Sequence, residues 1–362
     1  MHTPFRAGII GTGSVAGMGL GATRGNHVTP DRIEMSHAGG YAATNEVDLV
    51  AVADVDRKNL SLFGDLWDVP EESRYTDHNA MLSSEDLDAV SVCTPTMYHH
   101  EHVLDSATSA ADPDVIWCEK PLATSYTDAA EMVDVCERTE TELLVNHTFR
   151  FTEKFMQLKA ALAERPDLFG DLHSAHLQYR KELMRNSTHL LDMLIYLFDI
   201  DIASVSGFVA DPPDADPPTD DAGGGGYLLL ENGAFVTLDC TPPRAASSMA
   251  LQFLGSRGKF ALNVDDGEWR YWRLEDGTHI EQPLPIQADD TWVWDTDYAA
   301  GFTTGARHVG ALLQGEATNC SPGVEALRSL EAIVGLYVSH STGSHISLPL
   351  DRPLRTVTIQ SW

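Results

Sequence analysis

Basic residues are scarce in this chain. Its 362 residues include 24 Lys and Arg against 54 Asp and Glu, a formal net charge of −30, and only six of the bases are lysines. Such a negative field repels nucleic-acid phosphates and anionic lipid surfaces, so we expect neither as a partner. Molar salt screens most of the self-repulsion, because the Debye length falls to about 3 Å. The acidity therefore predicts a salty cytoplasm, such as that of a halophilic archaeon; the open alternative is an unusually acidic mesophilic protein.

Long apolar runs are also missing, and cysteines are few. No stretch approaches the roughly twenty apolar residues that span a bilayer, so we expect no membrane segment. Arg6 to Ile10 reads as a strand, and no charged start followed by an apolar stretch is visible before it, so we expect no secretory signal. The five cysteines have no CxxC or other paired spacing, and no His, Cys and carboxylate cluster has metal-site spacing. These absences predict a cytoplasmic protein with buried, reduced thiols and no metal.

The length and the patterning predict two domains. The chain is too long for one ordinary core, and its 43% of hydrophobic residues can fill two. Over residues 1–150, short apolar runs alternate with helical stretches at 100–110 and 125–140, which predicts an α/β domain with a doubly wound parallel sheet. The expected strands of this first domain are 7–10, 49–53, 89–93, 115–118 and 143–145.

The pattern changes after Phe151. Shorter strands separated by turn residues predict a second domain over residues 151–362, with an antiparallel sheet and then a helix pair at about 297–314 and 322–340. We leave open that a C-terminal segment packs back on the first domain. Residues 211–226, rich in Pro, Asp and Gly, are expected to form a solvated loop. The expected strands are 173–179, 202–208, 227–230, 234–239, 250–254 and 259–264.

A glycine-rich sequence directly follows the first expected strand. In Gly11-Thr12-Gly13-Ser14-Val15-Ala16, the first glycine permits a tight turn and the second lets a pyrophosphate approach the backbone. We therefore expect Gly11, Gly13, Ser14 and Val15 to bind a dinucleotide at a helix N-terminus. The open alternative is a turn in some other α/β protein.

Asp54 ends the second expected strand. An acid there holds ribose hydroxyls and repels a 2′-phosphate, which favours NAD over NADP. Asp54 lies 43 residues after Gly11, about twice the usual interval of roughly 20. We interpret the Gly/Met-rich stretch around 17–40 as an insertion beside the cofactor.

Glu119-Lys120-Pro121 follows the strand that ends in Cys118. Ligands bind at the carboxyl ends of parallel strands, and a lysine there can donate hydrogen bonds to a hydroxyl that is being oxidised. Selection for acidity has spared this lysine in a chain that has only six. The alternative is a surface lysine in a loop.

A histidine in the second half of the chain is the other candidate for chemistry. Thr188-His189-Leu190-Leu191-Asp192 reads as the first turn of a helix, capped by Ser187 or Thr188. His189, Asp192 and Tyr196 share one face of that helix. An imidazole is the natural general base near neutral pH, and Asp192 can orient it or hold a substrate hydroxyl. The alternative is a structural histidine.

These segments together resemble the glucose–fructose oxidoreductase / inositol dehydrogenase family (Gfo/Idh/MocA), over nearly the full length. The resemblance implies a Rossmann domain and then an α/β domain whose large open, mainly antiparallel sheet often builds homodimers or homotetramers. It also implies hydride transfer between a sugar-like or cyclitol carbinol and NAD(P). The matching segments are Gly11 to Ala16, Val50 to Asp54, Thr94 to His99, Cys118 to Leu122, Thr188 to Asp192, Ser339 to Gly343 and Leu348 to Leu350.

The resemblance also implies site residues. Lys120 and His189 would act on the reacting hydroxyl. From their places in the chain, we also expect Arg150, Arg185 and Asp192 beside the substrate. The cofactor would be held by the glycine-rich turn, Asp54, Lys120 and five further residues: Thr94, Pro95, His99, Glu119 and Asn146.

The chain departs from the family before its histidine. Many relatives carry an aspartate where this chain has Arg185, and many have glycine at the position of Ser187. With Arg180 and Lys181, Arg185 suggests a substrate bearing a carboxylate or phosphate, such as a sugar acid or nucleotide sugar. The alternative is surface arginines paired with the abundant acids.

Two rival functions from other classes stay open. Some proteins of this fold use bound NAD to cleave glycosidic bonds through a transient oxidation. Others bind a dinucleotide and a protein partner as non-catalytic regulators. Fold alone does not decide among these possibilities.

Overall fold

The computed structural model describes residues 3–19, 33–179, 182–210, 220–240, 249–264, 267–287 and 292–361. The chain divides into two compact units. Unit 1 comprises Met1–Ala123, Asp128–Thr152 and Tyr298–Val324, and unit 2 comprises Thr124–Thr127, Glu153–Asp297 and Glu325–Trp362. Residues 298–324 therefore belong to unit 1. The sequence analysis places the second domain at 151–362 and leaves open that a C-terminal segment packs back on the first.

The described elements are fifteen strands and nine α-helices. The strands are β1 Phe5–Ile10, β2 Val47–Ala53, β3 Arg74–Tyr75, β4 Ala89–Val92, β5 Val115–Cys118, β6 Glu142–Val145, β7 Leu172–Gln178, β8 Ile202–Val209, β9 Gly224–Leu230, β10 Phe235–Cys240, β11 Ala250–Gly255, β12 Gly258–Asn263, β13 Trp269–Glu275, β14 Thr278–Gln282 and β15 Ile346–Ser347. The helices are α1 His37–Ala42, α2 Arg57–Leu66, α3 His78–Ser84, α4 His99–Ala107, α5 Tyr126–Arg138, α6 Glu153–Glu164, α7 Leu183–Phe198, α8 Ala299–Leu313 and α9 Gly323–Thr342.

Unit 1 is built on a parallel sheet of six strands in the order β3-β2-β1-β4-β5-β6. Its central strands are buried on both faces, which explains why their sequences are apolar throughout. The predicted parallel sheet is confirmed, and all five predicted strands are present. The two-residue strand β3 was missed because Arg74–Tyr75 carries no apolar run.

The glycine-rich turn does not open a regular helix. A single helical turn, Ser14–Met18, follows β1, and Gly17 inside it has an extended backbone (φ 173°). A Cβ on Gly17 would lie 2.4 Å from Nε1 of Trp67, so close packing on that side chain fixes the turn. The next described helix, α1, begins at His37, with the Ser36 hydroxyl capping it through the N–H of Gly39. The expected insertion at 17–40 lies largely outside the described residues.

Unit 2 contains a nine-stranded sheet in the order β14-β13-β12-β11-β7-β10-β9-β8-β15. The sheet is mainly antiparallel, as predicted, but β7 and β10 pair in parallel. Three strands were not predicted: β13, whose aromatic residues are interrupted by arginines, β14, whose side chains are mostly exposed, and the two-residue β15.

The predicted loop at 211–226 is partly wrong. Residues 211–219 lie outside the described residues, but Gly224 to Gly226 form the start of β9. Asp221 is fully buried rather than solvated. Glycines suit this strand because a Cβ on Gly225 would lie 2.1 Å from the carbonyl oxygen of Leu238.

Helix α7 begins earlier than predicted. It starts at Leu183, so Ser187 and Thr188 lie inside the helix and are buried, and neither caps it. The Asp221 carboxylate caps the helix instead, accepting the N–H groups of Met184 at 2.7 Å and Arg185 at 2.9 Å. Across the described part of the chain, no helix is both long and apolar enough to cross a bilayer.

Candidate functional site

Unit 1 has a cleft of about 740 Å³ at the carboxyl ends of β1, β2 and β4. Five residues expected to bind the cofactor line it, and a set of polar side chains completes its wall. The expected residues are Gly11, Gly13, Asp54, Thr94 and Pro95, and the polar set includes Asp56, Asn59, Asp77, His78, Glu101 and His102. The cleft therefore lies where a doubly wound sheet binds a nucleotide.

The backbone of the glycine-rich turn fits a phosphate. Gly11 has a positive φ of 90°, and a Cβ there would lie 2.8 Å from Cγ2 of Thr94, so both conformation and space require glycine. A Cβ on Gly13 would meet nothing within 4 Å, which leaves room for a ligand at the backbone. Ser14 and Val15 continue the same turn without lining the cleft.

The Asp54 carboxylate is held in place at the cleft. Its Oδ2 accepts hydrogen bonds from the backbone N–H and the hydroxyl of Thr12, both at 2.7 Å. Its Oδ1 accepts the N–H of Asp56 at 2.8 Å. Oδ2 therefore has both of its lone pairs engaged, and Oδ1 keeps one for a further donor. The carboxylate can receive a ribose hydroxyl there and would repel a phosphate.

His99 joins the loops that follow β4 and β5. One ring nitrogen lies 2.8 Å from the carbonyl oxygen of Thr94 and the other 3.0 Å from that of Pro121. Burial lowers the pKa of His99, although the two carbonyl contacts oppose that shift. The side chain is 1% exposed and does not line the cleft. In this structure His99 places the Lys120 loop next to Thr94.

A second histidine faces the cleft directly. Nδ1 of His102 lies 3.0 Å from the Thr94 hydroxyl, and its ring meets that of His78 at 4.5 Å. Burial, with smaller contributions from the neighbouring His78 and His99, lowers the pKa of His102 to about 4. His102 is therefore neutral at physiological pH and adds no positive charge at the cleft.

Lys120 lies at the carboxyl end of β5, and its side chain is half-buried. Cys118 pairs with Val92 of β4 in the sheet, so Lys120 and the cleft residue Thr94 stand at equivalent positions beyond neighbouring strands. The preceding Glu119 is buried, and its carboxylate is hydrogen-bonded to Nε2 of His37, the side-chain amide of Asn146 and the backbone N–H of Lys120. Burial raises the pKa of Glu119. The hydrogen bond and the electrostatic attraction from His37, then the charge of Lys120 and the hydrogen bond from Asn146, outweigh burial and leave the pKa lowered.

Asn146 and Arg150 follow β6. Asn146 is fully buried, and its Oδ1 has no hydrogen-bond partner among the described residues, so it remains an acceptor for a ligand. Arg150 is 1% exposed and donates to the carbonyl of Cys320 at 3.0 Å. This arginine, expected beside the substrate, ties the end of β6 to the 298–324 segment.

In unit 2, His189 and Asp192 lie on α7 and are 5% and 1% exposed. The ring of Tyr179 stacks on that of His189 with centroids 6.1 Å apart. Arg185, one turn earlier, is exposed. Arg180 and Lys181, the other members of the basic segment, lie outside the described residues.

Sequence analysis missed three residues beside the Lys120 loop. His37, Tyr41 and Ser91 are all buried and connected to Glu119 by hydrogen bonds. His37 and Tyr41 could have been found from their spacing, because residues four apart at the end of the 17–40 stretch share one face of a helix. Ser91 lies within an apolar strand and gave no such signal.

Comparison with known proteins agrees with this geometry. Residues 5–147 match the Gfo/Idh/MocA model described as "Oxidoreductase family, NAD-binding Rossmann fold", and residues 182–348 match "Oxidoreductase family, C-terminal alpha/beta domain". A D-apiose dehydrogenase from Paraburkholderia graminis is 26% identical over 86% of both chains. An inositol 2-dehydrogenase from Paracoccus denitrificans is 30% identical over 54% of this chain and 55% of its own.

Solved structures share the fold. The WlbA dehydrogenase from Bordetella pertussis, in complex with NADH and UDP-GlcNAcA, superposes with a TM-score of 0.77 at 20% identity. The alignment covers 96% of this chain and 99% of that one. Two models of one family, matched in order, account for most of the sequence. This chain therefore belongs to the Gfo/Idh/MocA oxidoreductase family and begins with its NAD-binding Rossmann domain.

Proposed function

We propose that this protein transfers a hydride between NAD and a carbinol of a sugar, cyclitol or sugar derivative. The observation that carries the proposal is the position of Lys120. It follows β5 at the same sheet edge as the Asp54-lined cleft, and His99 ties its loop to the cleft residue Thr94. The named dehydrogenases among the relatives, for D-apiose and inositol, support a polyhydroxylated substrate.

Each residue has a separate role in this proposal. The backbone at Gly11 and Gly13 binds the pyrophosphate, and the Asp54 carboxylate binds the ribose. Oδ1 of Asn146 accepts a hydrogen bond from the ligand. When bound, NAD supplies the hydride acceptor. Lys120 polarises the substrate hydroxyl by donating a hydrogen bond, and His189 accepts its proton as general base.

A spectrophotometric screen for NADH formation tests the function. It compares aldoses, inositols, sugar acids and nucleotide sugars in molar KCl, with NADP in parallel. NADH accumulation with a polyol or sugar, and slower reduction of NADP, supports the dehydrogenase. Glycoside cleavage without net reduction would favour the glycosidase alternative instead, and NAD binding without turnover of any compound would favour the regulator.

We also propose a homodimer or homotetramer built on one face of the unit 2 sheet. Register places Leu229, Phe235 and Leu254 in one row across β9, β10, β7 and β11. The apolar side chains exposed on this face are Phe208 (59%), Tyr227 (43%), Leu229 (40%), Phe235 (47%) and Leu254 (38%). Such a surface is typical of an interface. Light scattering is expected to give a multiple of the 39.6 kDa chain mass, and Phe235→Glu is expected to reduce it. A monomeric wild type would contradict the proposal.

We propose, from the net charge of −30, that the protein is adapted to high salt. Screening of the self-repulsion in about 2 M KCl is expected to raise Tm by on the order of 10 °C over about 0.1 M KCl. The measurement is thermal unfolding at both concentrations. Sucrose, which stabilises proteins by exclusion without screening charge, is the control. Equal Tm values in both KCl solutions would contradict the adaptation.

A further inference from the structure

A chain of four buried polar side chains extends from α1 to the Lys120 loop. The hydroxyl of Tyr41 lies 2.8 Å from the hydroxyl of Ser91, which lies 3.0 Å from Nδ1 of His37. The other ring nitrogen, Nε2, lies 3.1 Å from Oε1 of Glu119. His37 and Ser91 are 0% exposed, Tyr41 is 2% and Glu119 is 6% exposed. Their hydrogen bonds must therefore be made with one another and with other protein groups, because solvent barely reaches them.

The acceptor at one end fixes the direction of the whole chain. The Glu119 carboxylate accepts only, so Nε2 of His37 must carry a hydrogen. With a neutral ring, Nδ1 then accepts from Ser91, and Ser91 accepts from Tyr41. Every hydrogen in the chain then has an acceptor. A doubly protonated His37 would add one hydrogen and leave that of either Ser91 or Tyr41 without an acceptor in the chain.

The histidine ring has little freedom to turn. Its centroid lies 3.9 Å from that of Trp117 on β5 and 6.0 Å from that of Phe302 on α8. The Ser36 hydroxyl caps the short helix that carries it. A fixed donor can hold a carboxylate in one orientation, and this carboxylate receives the backbone N–H of Lys120 at 3.3 Å.

We propose that His37 is a positioning residue for Lys120, acting as a neutral imidazole whose Nε2–H orients the Glu119 carboxylate. The inference rests on the role proposed above for Lys120. His37 contacts neither substrate nor cofactor in this scheme. It holds the side chain that precedes the lysine. The Glu119 carboxylate fixes the hydrogen on Nε2, and the Ser91 hydroxyl donates to Nδ1.

Two substitutions separate the donor from the ring. His37→Gln keeps an amide N–H close to the position of Nε2, whereas His37→Leu removes every donor. We expect kcat to fall roughly 10- to 100-fold in His37→Leu, because small displacements of a reacting group have effects of this size, and to stay within about threefold in His37→Gln. Tyr41→Phe, which removes only the outer hydroxyl, is the matched control and is expected to change kcat less than about threefold. NAD affinity is expected to be unchanged in all three.

The pH profile provides a readout that packing alone does not move. Without the His37 donor, burial raises the pKa of Glu119, so kcat is lost at a higher pH than in the wild type as the solution is acidified. Other polar or titratable groups also face Glu119 and stay in place: Cys93, His99, Cys118, Lys120 and Asn146. The pH at which kcat falls on the acid side is expected to be higher in His37→Leu than in the wild type. In His37→Gln it is expected to return toward the wild-type value.

A second measurement does not depend on turnover. Selective ¹⁵N-histidine labelling, with the His37 signals assigned by their loss in His37→Gln, is expected to show a protonated Nε2 and an unprotonated Nδ1 near pH 8. The opposite tautomer or a doubly protonated ring would overturn the inference, even if no substrate had been found. Once a substrate is known, a second result would overturn the inference: a lower Tm in His37→Leu with unchanged kcat and an unchanged pH dependence of kcat. That result would not contradict the dehydrogenase function.

Discussion

Replacing Lys120 or His189 with alanine is expected to lower kcat roughly 10²- to 10⁴-fold, the range in which a positioned proton-transfer group contributes. Lys120 would no longer polarise the substrate hydroxyl, and without His189 its proton would have no general base to accept it. NAD affinity is expected to change little, because the glycine-rich turn and Asp54 remain. The measurements are kcat with the substrate from the screen, and NAD affinity by titration.

The double variant and two surface variants complete this experiment. If Lys120 and His189 act as a unit, their losses are not additive, and the double variant resembles the slower single one. Lys58→Ala and His173→Ala remove the same side-chain types from exposed positions and are expected to leave kcat unchanged. Near-wild-type turnover of Lys120→Ala would remove the lysine from the mechanism. Near-wild-type turnover of His189→Ala alone would show that another group is the general base.

The second large effect is expected on cofactor choice. Unit charges about 4 Å apart near a protein surface repel by about 4 kcal/mol, so the Asp54 carboxylate can disfavour a 2′-phosphate by a factor on the order of 10² to 10³. We expect the wild type to prefer NAD over NADP by that factor in kcat/KM, and Asp54→Asn to lose most of the preference. The assay uses the lowest salt at which the protein stays folded, because salt screens the repulsion.

Asp56 offers a matched control for this substitution. It lines the same cleft and caps α2 through the N–H groups of Lys58 and Asn59, a role that asparagine also performs. Asp56→Asn thus makes the same change of charge nearby. If it relaxes the preference as much as Asp54→Asn does, the discrimination comes from the field of the whole cleft. Comparable wild-type kcat/KM values for both cofactors would contradict the placement of Asp54 at the ribose.

The sequence predicts the first sheet well because its strands are continuous apolar runs, and burial on both faces requires such runs. It predicts the cleft because Gly11, Gly13 and Asp54 each have a local physical requirement at a strand end. Strand β14 escapes prediction because its side chains are mostly exposed. In β13 the buried Trp269 and Tyr271 alternate with Arg270, but the rest of the strand is largely exposed, so the alternation is too short to mark it. The start of α7 was missed for another reason. Its cap, Asp221, lies 37 residues beyond Met184 in the chain, and local sequence cannot show such a partner.

The network around Glu119 shows the same limit for the site. His37, Ser91 and Glu119 come from three separate segments, and only the folded sheet brings them together. Their functional significance lies in hydrogen bonds between buried side chains, which no spacing rule describes. A site residue whose conformation or charge is required at its own strand end can be predicted from the sequence. Hydrogen bonds between side chains from separate segments cannot.

The assignment of residues 298–324 to unit 1 has a consequence for synthesis on the ribosome. The Cys320 carbonyl in this segment accepts a hydrogen bond from the Arg150 side chain. The backbone carbonyl of Ser321 accepts the N–H of Val145 on β6, and its hydroxyl donates to the Val145 carbonyl. Helix α8 also packs against β5, where a Cβ on Gly305 would meet Trp117 at 2.7 Å. A nascent chain that has emerged only to residue 152 lacks all of these contacts. The N-terminal half therefore cannot reach its final structure first, as N-terminal domains generally do, and must wait until most of the second unit has been translated.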